Sequence, residues 1–197
     1  MKASRHAKEA TVRKVQKRKK ECAPHIKGEL KQQKLGGDKC YGITESADLY
    51  VFLDNALNHD NDFIALDSET SGLYPRDGYM LGISLSYEPE HGAYISTDCI
   101  DEKAEGLLQQ LFDKKRVVFH NAKFDLAFFE YHFGFKFPRF EDTMLLHYML
   151  DENPGTHGLK QLSLKYTPYG DYEKGMYEWI TDYCRRNGIL KGSFTWD

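Results

Sequence analysis

Residues 64–73 read IALDSETSGL, an apolar run that ends in two acids, Asp67 and Glu69, with Ser68 between them and Thr70 after. With Phe63 in front, the segment reads as a β-strand. Side chains at i and i+2 share one face of a strand, so Asp67 and Glu69 point the same way and Ser68 the other. Carboxylates at the end of an apolar strand resist burial unless something pairs or coordinates them. Two readings follow: the strand ends at a solvent edge and the acids are hydrated, or the acids converge on a cation.

Working outward, YGITESADLYVFLDNAL (41–57) reads as a short strand and then a helix capped near Thr44 or Ser46. Leu49, Phe52, Leu53, Ala56 and Leu57 share one face of that helix. YMLGISLSYE (79–88) and GAYIST (92–97) read as two more strands joined through PEHG, a hairpin connection. Residues 101–113 carry Ala104, Leu107, Leu108, Leu111 and Phe112 at helical spacing. RVVFH (116–120) is a short apolar strand, and NAKFDLAFFEYHF (121–133) is a helix that Asn121 is placed to cap. A further helix starts near Asp142, which is placed to cap it, and another occupies 157–166. The order is a three-strand meander, a crossing helix, a strand and then helices, which implies an α/β mixed sheet flanked by helices. Tyr and Phe are dense in FFEYHFGFKFPRF (128–140), and packing under the sheet is the reading for them.

Asp125 lies about one turn into the helix that follows RVVFH. If that strand lies beside FIALD, Asp125 reaches the same mouth of the sheet as Asp67 and Glu69, where α/β folds place their sites. Three carboxylates there repel one another unless a divalent cation neutralises them. Hard oxygen donors suit Mg2+ or Mn2+ rather than zinc. Two such ions about 3.5–4 Å apart would clamp a phosphodiester, with Asp67 placed to bridge them and Glu69 to orient a water. An Asp-x-Glu pair is common and weak by itself; its conjunction with HNAKFD at the end of a second strand gives it weight.

The composition bounds the classes. The chain has 197 residues, 41% hydrophobic and 14% aromatic, enough for one domain with a full core plus a tail. No stretch approaches the ~18–20 apolar residues of a membrane span, and no signal-peptide core opens the sequence, so the expectation is an intracellular protein without membrane partners. Cys22, Cys40, Cys99 and Cys184 form no Cys-x-x-Cys pair, which points to free thiols rather than zinc or disulfides. The net charge of −3 conceals a basic tail on an acidic body: residues 1–34 hold twelve Lys/Arg and three Glu, and the rest holds fifteen bases against 27 acids. The sequence therefore divides into a basic, disordered N-terminal extension over 1–40 and a folded domain over 41–197.

LDSETSGL resembles the first motif of the DEDD 3′–5′ exonucleases, and HNAKFD resembles the second. EDTMLLHYMLDENPGTHGLKQLSLKY is similar to the stretch that follows in the proofreading domain of family A (Pol I-like) DNA polymerases. The resemblance covers about residues 60–167. It implies a ribonuclease H-like fold, two Mg2+ or Mn2+ ions, and release of 5′-mononucleotides from the 3′ end of single-stranded or frayed DNA, with a polymerase on the same or a continuing chain. By the same resemblance Asp67, Glu69 and Asp125 are the catalytic, metal-binding acids. Thr70 and Leu73 contact the terminal nucleotide, and Asn121 and Phe124 line the strand's path.

The family's fourth acid, in a late Tyr-x-x-x-Asp or His-x-x-x-x-Asp helix, has no convincing copy here. Asp182 lies near the right place, but Glu178 stands four residues before it, so Asp182 reads as a solvated helix residue. The expectation is an exonuclease domain incomplete at its C-terminus and weak or inactive alone. The alternatives are a non-catalytic nucleic-acid-binding or assembly module with a degenerate exonuclease fold, and a stand-alone exoribonuclease. His120 reads as a hydrogen-bonded strand-end residue, and His147 and His157 as structural or surface residues.

Overall fold

The computed structural model describes residues 39–89, 91–170 and 174–190, so the basic N-terminal segment lies outside it. Six strands form one sheet: β1 (Lys39–Ile43), β2 (Phe63–Thr70), β3 (Met80–Glu88), β4 (His91–Ser96), β5 (Arg116–Phe119) and β6 (Phe140–Asp142), in the order β1-β4-β3-β2-β5-β6. β2, β3 and β4 are the expected antiparallel meander, and β1, β5 and β6 add parallel pairings. The helices are α1 (Ser46–Asn58), α2 (Glu102–Lys114), α3 (Ala122–His132), α4 (Thr143–Tyr148), α5 (Leu159–Tyr166) and α6 (Lys174–Asn187).

The apolar faces decide the layers. Ile64, Leu66 and Ser68 of β2 are buried, while Phe63, Ala65, Asp67 and Glu69 are exposed, as strand alternation requires. The buried face meets Ile83 and Leu85 of β3, Ile95 of β4, Val117 and Phe119 of β5, and the apolar stripes of α1 and α2. The aromatic run packs as expected around Phe112: Phe129, Phe135 and Phe137 stand 6.4, 5.3 and 4.8 Å from it between ring centres. Phe140 is half exposed, because it begins β6, an edge strand too short for its periodicity to be readable.

Two helix starts differ from the sequence expectation. Neither Thr44 nor Ser46 caps α1: the N-cap position is Glu45, without a side-chain bond, and Ser46 Oγ donates instead to the carbonyl of Cys99, 2.9 Å away. Asn121 occupies the N-cap position of α3 but makes no capping bond, since its backbone is left-handed at φ 67°. The cap comes from Asp142, whose carboxylate accepts from the N–H groups of Asn121 (3.0 Å) and Ala122 (2.8 Å). The same carboxylate caps α4, as expected, accepting from Met144 N (2.9 Å) and Leu145 N (3.5 Å). One acid thus satisfies the free donors of two helices.

His147 and His157 are structural. Both are buried, their Nδ1 atoms 2.8 Å apart, and His147 Nε2 lies 3.2 Å from the Tyr166 hydroxyl, which joins α4 to α5. No helix among the described residues is long and apolar enough to cross a membrane.

Candidate active site

The site forms where β2 outruns β5. The parallel ladder between them covers Phe63–Arg116 to Ala65–Val118, so beyond Ala65 the edge of β2 loses its strand partner. Chain reversal at Asn121 swings α3 across this free edge. Asp125, on the first turn of α3, accepts from Ser68 N–H at 2.9 Å and from Ser68 Oγ–H at 2.6 Å, both at Oδ1. The expected adjacency of the two motifs is therefore present, with Ser68 as the link between them.

Asp67 and Glu69 share the outward face of β2. The register sets Asp67 beside Ser84, which is itself beside Tyr94, and Glu69 beside Gly82. The Tyr94 ring lies across Gly82: a Cβ on that glycine would stand 2.4 Å from ring carbons and 2.5 Å from the hydroxyl. The missing side chain makes room for a phenol next to Glu69. Ser84 also favours the ionised form of the Glu69 carboxylate.

The electrostatics are those of a crowded acid cluster. Asp125 is 2% exposed, and burial pushes its carboxyl up to about 6, opposed by the Ser68 bonds and assisted by the charge of Asp67. Protein crowding around Asp67 raises its carboxyl, with His120 and the Ser68 amide pulling the other way. Glu69 is raised by the same loss of hydration and by Asp67, with Ser84 opposing. The phenol of Tyr94 is raised by desolvation and then by Glu69. Asp67 thus acts on both other acids.

The full convergence expected from the sequence is not formed. Among the described residues no three His, Cys, Asp or Glu side chains are gathered closely enough to hold an ion between them. Asp125 instead gives its Oδ1 to two Ser68 donors, which offset part of the cost of burying its charge. Asp182 is held on the surface of α6 by Arg185 (2.6 Å) and by Arg186, as a solvated ion pair.

The remaining expected residues ring the acids. Thr70 Oγ1 donates to the Gly72 carbonyl at 2.9 Å, at the start of the β2–β3 connection. Leu73 projects from that connection and is 75% exposed. Asn121 is exposed at the head of α3, and Phe124 is half-buried there, 5.0 Å from Phe128 between ring centres. His120 is hydrogen-bonded as expected: Thr143 Oγ1 donates to the Phe119 carbonyl, so His120 Nδ1 donates to that hydroxyl at 2.9 Å. The sequence reading missed Ser68, Ser84 and Tyr94. Alternation on the meander, which groups residues 82, 84 and 94 with the acids, is the signal that locates the last two.

Residues 40–189 match the family model described as 3′–5′ exonuclease. Over 142 residues the chain is 49% identical to the DNA polymerase of Escherichia phage T5, an alignment covering 68% of this chain and 17% of that protein. Similar solved structures include Escherichia coli RNase D (TM-score 0.54, 22% identity, 64% of this chain and 32% of that one). Brucella melitensis NrnC bound to pGG gives 0.53, with 23% identity over 68% of this chain and 65% of that one. The Aedes aegypti Nibbler EXO domain gives 0.54, with 12% identity over 81% and 95%. At these identities the structural likeness speaks for the ribonuclease H-like fold alone. The sequence match spans most of the folded region and both acid motifs, and by it the chain belongs to the family of 3′–5′ exonuclease domains found in DNA polymerases.

Proposed function

We propose that the domain begins at Lys39, where β1 starts, rather than at the expected residue 41, and that residues 39–197 form a metal-dependent exonuclease domain that removes nucleotides from the 3′ end of single-stranded or frayed DNA as the proofreading part of a longer polymerase, with 1–38 a basic extension before it. The observation that carries this reading is the pair of bonds from Ser68 to Asp125, which brings the acid of the second motif against the strand that bears Asp67 and Glu69, the bonded partners lying 57 residues apart. An all-oxygen cluster whose members repel one another fits a hard divalent cation. Asp67, Glu69 and Asp125 would hold Mg2+ or Mn2+, and a pair of such ions supplies an activated water and stabilises the leaving oxygen. NrnC, whose fold this chain shares, has been solved with bound Mg2+.

The protein's own groups orient the reaction. Glu69, steadied by Ser84 and flanked by Tyr94, is placed to align the attacking water. Leu73 and Phe124 wedge and stack a frayed base, Thr70 contacts the terminal nucleotide, and Asn121 donates to backbone oxygens. With Asp182 engaged by two arginines, three acids among the described residues are assigned to the site, and turnover on three acids is slow.

Mn2+ binding by the 197-residue chain, followed calorimetrically, tests the assignment. Measurable binding that Asp67→Ala abolishes supports it, and so does Mn2+-dependent trimming of single-stranded DNA lost in the same variant. Binding indifferent to Asp67→Ala refutes it. The ungathered acids favour one second reading, a non-catalytic strand-binding module; such a module binds oligonucleotides and no Mn2+.

A further inference from the structure

The side of α3 that faces the β2–β3 connection continues past the acids, from half-buried Phe124 to exposed Ala127 and Tyr131. Phe124, Ala127 and Tyr131 recur at i, i+3 and i+7, a single stripe along the helix. Asp125 is turned away from this stripe towards β2, so the stripe begins beside the candidate site and leads away from it. Facing it is the β2–β3 connection. Between the two lies a cleft of about 370 Å3 lined by Tyr74, Pro75, Arg76, Asp77, Ala127 and Tyr131.

The cleft wall is built rather than loose. Ser71 N–H donates to the Tyr79 carbonyl at 3.0 Å, and Tyr79 N–H returns to Ser71 Oγ at 3.0 Å. Asp77 and Gly78 N–H both donate to the Tyr74 carbonyl, at 3.1 and 2.9 Å. At Gly78 a Cβ would approach Gly72 N and the Tyr74 carbonyl to 3.3 Å, so the connection closes tightly on itself. Yet this rigid turn leaves large apolar groups in water: Tyr74 is 68% exposed and Tyr131 42%. Exposed aromatics grouped around a cleft mark a binding surface. Ala127, small and exposed between them, leaves the gap open.

The chemistry selects the occupant. Two phenol rings offer flat faces for a base, and an exposed guanidinium offers a partner for phosphate. From Phe124 to Tyr131 is about 10 Å along the helix at 1.5 Å per residue. A stacked strand covers that distance in about three nucleotides at roughly 3.4 Å each. We propose that this cleft is an upstream subsite for single-stranded DNA, in which Tyr74 and Tyr131 stack on a base about three nucleotides behind the 3′ end and Arg76 meets a phosphate beside it. The proposal deepens the exonuclease reading and rests on it for strand polarity. It explains why a domain that acts on one terminal nucleotide carries an aromatic track leading away from its acids.

The experiment measures the affinity of the 197-residue chain for thymidine oligonucleotides of two, four and six residues by competition anisotropy, in EDTA so that no turnover occurs. The expected result is a step of about tenfold in affinity between the dimer and the tetramer. Tyr74→Ala and Tyr131→Ala each remove most of the step and leave dimer binding unchanged; Tyr131→Phe keeps it. Arg76→Ala weakens the tetramer and lowers the salt slope by about one. All three positions are exposed, and circular dichroism checks that the variants fold. Equal affinity at all lengths, or a step that survives both tyrosine truncations, overturns the proposal. Mn2+ binding that Asp67→Ala abolishes reads the parent function separately. Such binding without a length step sinks the subsite alone, whereas a tyrosine-dependent step without Mn2+ binding upholds a strand site and removes the exonuclease reading.

Discussion

Replacing Asp125 by Asn should stabilise the metal-free protein at neutral pH, although it removes a residue of the candidate active site. In the fold the Asp125 carboxyl titrates at about 6, against an ordinary value of 3.8. The folded state therefore binds this proton more tightly than the unfolded state does. The resulting stability is complete below pH 3.8 and is lost as pH rises through about 6. At pH 7.5 the native protein carries a buried, repelled charge whose cost is about 3 kcal/mol by linkage, at most. Asn keeps the oxygen that accepts from Ser68 N–H and Oγ–H, so those two bonds survive while the charge disappears. Urea denaturation in EDTA should show Asp125→Asn more stable than the parent by about 1–3 kcal/mol at pH 7.5, with the gap shrinking to well under about 1 kcal/mol near pH 4. Added Mn2+ should then reverse the order, because the ion stabilises only the chain that binds it. An Asn variant less stable than the parent at pH 7.5 in EDTA, or a gap that does not change with pH, would refute the reasoning.

Gly82→Ala puts a Cβ 2.4 Å from the Tyr94 ring, so the ring must leave its place beside Glu69. The expected cost is about 1–3 kcal/mol of stability, largely relieved when Tyr94→Ala is added; a single variant as stable as the parent removes the argument. Asp142→Ala strips the shared cap from α3 and α4 and should cost about 2–4 kcal/mol in urea denaturation, with Asp142→Asn intermediate. A loss under about 0.5 kcal/mol would mean that water replaces the carboxylate at no cost. Mn2+ affinity should weaken by at least about tenfold between pH 7 and pH 5, since the ion competes with the proton that Asp125 takes up near pH 6. Calorimetry at the two pH values decides it, and equal affinity would separate Asp125 from the ligands.

What the sequence made legible is what period and local chemistry encode. Alternation along FIALDSE put Asp67 and Glu69 on one face and Ser68 on the other, and the fold keeps that division. The helical stripes of α1 and α2 and the meander were equally readable, because each buries a face it declares within ten or so residues. The errors arise where a polar group is satisfied from far along the chain. Ser46 turns to a carbonyl 53 residues away instead of capping α1, and Asn121 yields its cap to an acid 21 residues later. β6 was invisible because three residues carry no period. Gly82 gave no local sign of the Tyr94 ring above it, which only the pairing register brings there.

The most informative of these long-range bonds is the one that gives Asp125 two roles. β5 pairs with β2 only as far as Val118, and the amide of Ser68, three residues further along β2, would be a buried donor without an acceptor if α3 did not cross there. Asp125 fills the missing ladder position with a carboxylate oxygen. A helix that must supply an acceptor at that edge carries an acid into contact with the strand that bears Asp67. The juxtaposition needed for chemistry is therefore also a solution to a hydrogen-bonding problem in the sheet. For that reason Asp125→Ala confounds folding with function, since it orphans Ser68 N–H as it deletes the charge, and Asp125→Asn is the substitution that separates the two.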